Sequence, residues 1–143
     1  YYAKMDPQVL QRAEEIVKAP PAIEFGDDLV MAAMRLLASS REQRYYQFIF
    51  NCAYDDDYLS TQPLKIKDIV SAAAHALTLL PPADARPLLM KLAQKYPFHP
   101  PKVSGYYSID EPEQQIASSV SSALRLVDAI QNGVIIDLGP TRP

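Results

Sequence analysis

The sequence predicts an all-α fold of five to seven helices, either an irregular helical bundle or a short stack of helical hairpins. Three observations carry this. The 143 residues include 4 glycines and 13 prolines, which leaves little room for tight β-hairpins and implies stiff corners. The pairs Pro20-Pro21, Pro81-Pro82 and Pro100-Pro101 all fall between stretches whose apolar residues recur at helical spacing. Finally, the Ala-rich stretches 29–37, 69–77 and 119–127 superpose at offsets of 40 and then 50 residues.

The first helix opens at Asp6-Pro7, with Asp6 as N-cap and proline in the first helical position. Val9, Leu10, Ala13, Ile16 and Val17 share one face until Pro20-Pro21 stops the run. A second helix is predicted from Asp27 to Ser39. Ser40 and Gln43 have the spacing of a capping box and would start the third, whose apolar face uses Tyr45, Phe48, Ile49, Cys52 and Ala53. Asp55-Asp56-Asp57 is unfavourable at a helix C-terminus, so a loop is expected from there through Pro63.

A fourth helix is predicted over 65–80 and a fifth over 84–96, with Pro87 in its first turn, where proline is tolerated. Residues 97–109 are irregular, rich in proline and aromatic residues. A long sixth helix follows from 110–113 and closes at Asn132-Gly133, glycine suiting the left-handed cap. Residues 1–133 thus read as one helical domain. Residues 134–143 read as an extended tail or the start of a linker, with 134–138 apolar enough for a short strand.

In the superposed stretches, Val30, Val70 and Val120 coincide, as do Ala33, Ala73 and Ala123, and Leu37, Leu77 and Val127. On the polar side Arg35, His75 and Arg125 coincide. The repeated register resembles the logic of HEAT-like or armadillo hairpins, in which equivalent positions of successive helices form a ladder across one surface. Two arginines flanking a histidine would suit the carboxylates of an acidic peptide or partner protein; the plainer reading is three unrelated solvated positions.

Composition narrows the function classes. A net charge of −3 argues against a dedicated nucleic-acid binder, and no run approaches the length of a membrane span. No basic region followed by an apolar core stands at the N-terminus, and the chain opens on Tyr1 rather than methionine, which suits a processed, tagged or excised chain. The single Cys52 excludes an internal disulfide, so the expected compartment is the reducing cytoplasm.

Chemistry-bearing motifs are absent. Cys52 with His75 would make a nucleophile and base only if the two met, and Cys52 sits on an apolar helix face, where an inert thiol is usual. Asp55-Asp56-Asp57 lacks the alternating oxygen ligands of a calcium loop, and His99 has a single other histidine to join it in a metal site. No catalytic residue, metal or cofactor is therefore assigned.

Tyrosine is more suggestive. The chain has 9 tyrosines and no tryptophan, with pairs at Tyr1-Tyr2, Tyr45-Tyr46 and Tyr106-Tyr107. Tyrosine is enriched where proteins meet. The expected function is a protein–protein interaction module, with Arg35, His75, Arg125, Tyr46, Phe98, Tyr106 and Tyr107 as partner-binding residues. Self-association is included, through the small Ser/Ala face of the last helix. The alternative is a small helical enzyme or ligand-binding domain with a pocket lined by Tyr45, Tyr54 or Tyr58 and a carboxylate.

Overall fold

The computed structural model describes residues 5–98 and 112–133. Among these there are seven helices and no strand: α1 (Pro7–Lys18), α2 (Gly26–Ser39), α3 (Gln43–Tyr54), α4 (Asp56–Thr61), α5 (Ile66–Leu77), α6 (Pro82–Lys95) and α7 (Pro112–Gln131). The all-α fold read from the sequence is the fold observed. The segments 99–111 and 134–143, with His99, Tyr106, Tyr107 and the apolar 134–138, lie outside the described residues.

The helices form two rows. In one, α5 lies between α2 and α7; in the other, α1, α3 and α6 pack on α2, α5 and α7 respectively. Side-chain contacts fix the direction of the second row. Glu14 reaches Arg44 at 4.0 Å, and Lys18 lies 5.9 Å from the centre of the Phe48 ring, both partners advancing one helical turn together. Lys91 over Phe50 and Lys95 over Tyr54, at 5.9 and 4.9 Å, repeat the pattern. Thus α1, α3 and α6 run parallel.

The central helix is α5. Ile69, Val70, Ala72, Ala73, Ala74, Ala76 and Leu77 are all buried, because α2, α3, α4, α6 and α7 surround it. The stripe with Asp68, Ser71 and the exposed His75 escapes full burial, and alanine lets the neighbouring helices approach closely on the rest. The residues that superpose in sequence share this burial: Val30, Val70 and Val120, Ala33, Ala73 and Ala123, and Leu37, Leu77 and Val127 all belong to the core. Each fully buried leucine, such as Leu37 or Leu77, contributes about 2 kcal/mol of transfer free energy.

Helix ends differ from expectation at several points. Asp6 caps α1 as predicted, its carboxylate accepting from the Gln8 amide at 2.9 Å. The Ser40–Gln43 capping box does not form. Ser40 is still helical at the end of α2 and donates to the Leu37 carbonyl at 2.6 Å, after which Arg41 turns left-handed and Glu42 precedes α3. The loop expected after Asp55 is instead the short α4. Asp55 accepts from the Asp57 amide at 3.0 Å, and Asp56 and Asp57 sit in the first turn, where the helix dipole favours acid.

Helix α6 begins at Pro82, two residues before the predicted start, which moves Pro87 into the second turn, where it is exposed. The close of α7 follows prediction, with Gly133 left-handed at φ 71°. Part of the small face of α7 is used inside the chain: the hydroxyls of Ser119 and Ser71 lie 2.9 Å apart, and Ala117 and Ala123 are buried. No described helix is long and apolar enough to cross a membrane.

Candidate functional site

The first surface is a groove between α1 and α2, on a side where no further described helix packs against the pair. Amphipathic spacing gives each helix a core face, but apolar residues continue round to the outside. Val9 is 47% exposed and Leu29 is 36% exposed, with Ile16 and Leu36 half-buried beside them. Together with Ala13, Ala32 and Ala33 they line an open, mostly apolar groove of about 430 Å³, edged by Asp6, Gln8 and Arg12. Ile23 and Phe25, in the connection leading into α2, are also strongly exposed. Gly26 permits that connection, since a Cβ there would lie 2.8 Å from the Pro21 carbonyl oxygen.

The second surface is the exposed side of the row α2–α5–α7. Arg35 on α2, His75 on α5 and Arg125 on α7 are each exposed. Among the described residues none of the three has an ion-pair partner, whereas nearby Asp128 accepts from Arg86 at 2.7 Å. Phe98, just past α6, is exposed as well. Tyr46 must be taken off the surface: it is only 7% exposed, because α3 is flanked by α2, α5 and α6 and buries both members of the Tyr45-Tyr46 pair.

Two polar clefts hold the remaining clusters. At one end, Met5, Pro7, Leu10, Ser40, Glu42, Arg44 and Tyr45 surround about 540 Å³. Its polar groups satisfy one another: Arg44 donates to the Tyr45 hydroxyl and lies 3.6 Å from Glu42. Burial raises the Tyr45 phenol above its ordinary pKa, against the pull of the Arg44 charge.

At the other end, Tyr54, Asp56, Lys91, Gln94 and Lys95 frame about 330 Å³. The Lys95 ammonium donates to the Tyr54 carbonyl and to Asp56 at 2.7 Å, so one cation serves the C-terminal carbonyls of α3 and the first turn of α4. The Tyr96 hydroxyl donates to the Ala53 carbonyl at 2.9 Å. Phe50 and Tyr54 stack at 4.9 Å beside these lysines. This arrangement closes helix ends and leaves no unsatisfied group aimed at a ligand.

Cys52 and His75 do not meet as nucleophile and base: the thiol is buried in α3 and the imidazole is exposed on α5. Burial pushes the Cys52 thiol up to about 12. Tyr45, Tyr54 and Tyr58 lie in separate places: the first two in the different clefts just described, while the Tyr58 hydroxyl donates to the Val17 carbonyl. Among the described residues no three His, Cys, Asp or Glu side chains gather to hold a metal.

The groove was missed by sequence reasoning. Val9, Leu29 and Leu36 look like core residues, and only the packing shows that no described helix covers them. A signal was present in the width of the apolar arc on α2, where residues 29, 30, 33, 34, 36 and 37 span more of the helix than one neighbour buries. Comparison of the chain with protein families, with characterised proteins and with solved structures finds no match.

Proposed function

We propose that this chain works by binding protein, as an interaction module whose docking surface is the groove between α1 and α2. The observation that carries this reading is the groove itself: a mostly apolar strip on two helices, edged by polar side chains, of the kind that marks an interaction site. Two helices presenting leucine, isoleucine and valine suit the apolar face of a third helix. The pairing of α1 with α2, α3 with α5 and α6 with α7 supports reading the fold as a short stack of hairpins whose first pair lacks a neighbour on its outer side.

The test is affinity capture from the native source by the wild-type chain and by Leu29→Glu, with partners identified by mass spectrometry. Leu29 is exposed, so the substitution leaves the core intact while placing a charge in the groove. Loss of a stoichiometric partner with this variant supports the module and locates its surface. Partners indifferent to Leu29→Glu overturn the groove as the docking site.

A second reading places an acidic segment of a partner on the ladder of Arg35, His75 and Arg125. What favours it is the common exposure of these residues on three adjacent helices, without ion-pair partners among the described residues. The double variant Arg35→Glu/Arg125→Glu should then abolish capture and make the wild-type interaction strongly salt-dependent. A partner retained by that variant removes the ladder and leaves the groove.

A further inference from the structure

We infer that the groove is filled by the same groove of a second copy of this chain, the two α2 helices packing antiparallel about a two-fold axis. This rests on the docking role proposed for the groove and names its occupant.

The argument is the charge pattern along α2. Asp28 and Arg35 are both exposed and, among the described residues, neither has an ion-pair partner. They stand seven residues apart, two helical turns, on the same side of the apolar strip formed by Leu29, Ala32 and Leu36. That spacing is the heptad of a helix-packing seam: Leu29 and Leu36 occupy one seam position, Ala32 the other, and Asp28 and Arg35 the same flanking position.

When two such helices pack antiparallel, like flanks face each other. Asp28 of one copy then lies opposite Arg35 of the other, and the two-fold axis makes the pair twice. Leu29 faces Ala32 of the second copy, large against small, which lets the helix axes come within about 8–10 Å. A parallel arrangement gives no such match, since the opposite flank of α2 carries Gly26 and Ala33, both buried.

An arbitrary partner helix would have to carry an arginine and an aspartate one heptad apart beside an apolar seam. This chain's own α2 carries them, in the reversed order an antiparallel partner needs. The contact is isologous, so each groove is used once and the assembly closes as a dimer rather than growing into a fibre. On the far side of the groove, Val9 and Ile16 of α1 supply the second wall against the incoming helix.

The test is sedimentation equilibrium of the full 143-residue chain over a wide concentration range, with the variants Asp28→Arg and Arg35→Glu. Circular dichroism of each variant checks that its helices are intact. The wild type is expected to dimerise reversibly. Each single variant sets like charges opposite each other twice and should raise the dimer dissociation constant by about tenfold.

Mixing the two single variants should restore association, because each then offers the charge the other lacks, and the double variant Asp28→Arg/Arg35→Glu should dimerise on its own. A wild type that stays monomeric throughout, single variants that dimerise undiminished, or a mixture that fails to recover, each overturns the antiparallel pairing. A monomeric wild type overturns self-pairing alone. The docking role of the groove falls only if Leu29→Glu also leaves every captured partner in place.

Discussion

The hydroxyl of Tyr58 in α4 donates to the backbone carbonyl of Val17 in the last turn of α1, joining residues 41 positions apart. The contact belongs to a wider pattern. Helices commonly close on a left-handed glycine, yet among the described residues only α7 does so. The C-terminal carbonyls of α1 and α3 are met instead by side chains from later helices: Tyr58 at α1, and Lys95 and Tyr96 at α3. Glycine scarcity and this end-to-side bonding are two views of one solution to the orphan carbonyls.

Tyr58→Phe removes the hydroxyl and keeps the ring. The Val17 carbonyl then loses its partner at a half-buried site, at a cost of about 1–2 kcal/mol. Urea unfolding should show a lower midpoint with unchanged slope. An unchanged midpoint would show that water replaces the hydroxyl at no cost.

Gly26→Ala tests the close approach before α2. The added Cβ would meet the Pro21 carbonyl oxygen at 2.8 Å, and a backbone atom cannot step aside as a side chain can. The expected destabilisation is about 1–3 kcal/mol, against the small gain that Gly→Ala gives in an unhindered helix. A thermal midpoint at or above that of the wild type would contradict the stated packing.

Ala73→Ile tests the central position of α5. Ala73 is fully buried on the face of α5 that meets the other helices, so three extra carbons press directly on packed neighbours. The variant should lose about 1–3 kcal/mol in chemical denaturation. The exposed Ala32→Ile substitution, with the same gain in side-chain volume, should change stability far less.

Alkaline pH should destabilise the fold, beginning near the ordinary thiol range. Burial holds Cys52 protonated to about pH 12 in the native state, while in the unfolded chain the thiol ionises near 9. Between those values the unfolded state has lost the proton and the native state retains it, so stability falls as pH rises, by up to about 1.4 kcal/mol per pH unit from this group. Tyr58 and Tyr96, both raised by burial, act in the same direction at higher pH. Denaturation midpoints across pH 7–11 check the slope, and Cys52→Ala should delay its onset. Native Cys52 should also resist alkylation at pH 8 and react once urea unfolds the chain.

Much of the fold was legible because it depends on local chemistry. Asp6-Pro7, the proline pairs and Asn132-Gly133 mark helix ends by mechanisms confined to a few residues. Alignment of Val30, Val70 and Val120 identified core positions because burial of one helix face imposes periodicity. What was not legible depends on neighbours. Asp55-Asp56-Asp57 opposes a helix that ends there and favours one that starts there, and only the start of α4 decides between them. Tyr46 points away from Tyr45 yet is buried, since α3 is covered on more than one side. The groove escaped notice because a single apolar residue carries no sign of whether a neighbour covers it, and only the width of the apolar arc on α2 hinted at it. Arg35, His75 and Arg125 show the converse: their exposure followed from register alone.

Among the described helices only α2 lies along α1, whereas α5 is enclosed by five others. Beyond that single neighbour, α1 is tied down by surface charges at Glu14 and Lys18 and by the Tyr58 hydrogen bond. The consequence lies in time rather than in space. Backbone amides of α1 should exchange with deuterium through a local opening that leaves the remaining helices in place, while those of α5 exchange only when the whole chain unfolds. Whatever settles in the groove would slow the exchange of α1 first, so the helix with a single neighbouring helix is also the one whose opening rate reports occupancy.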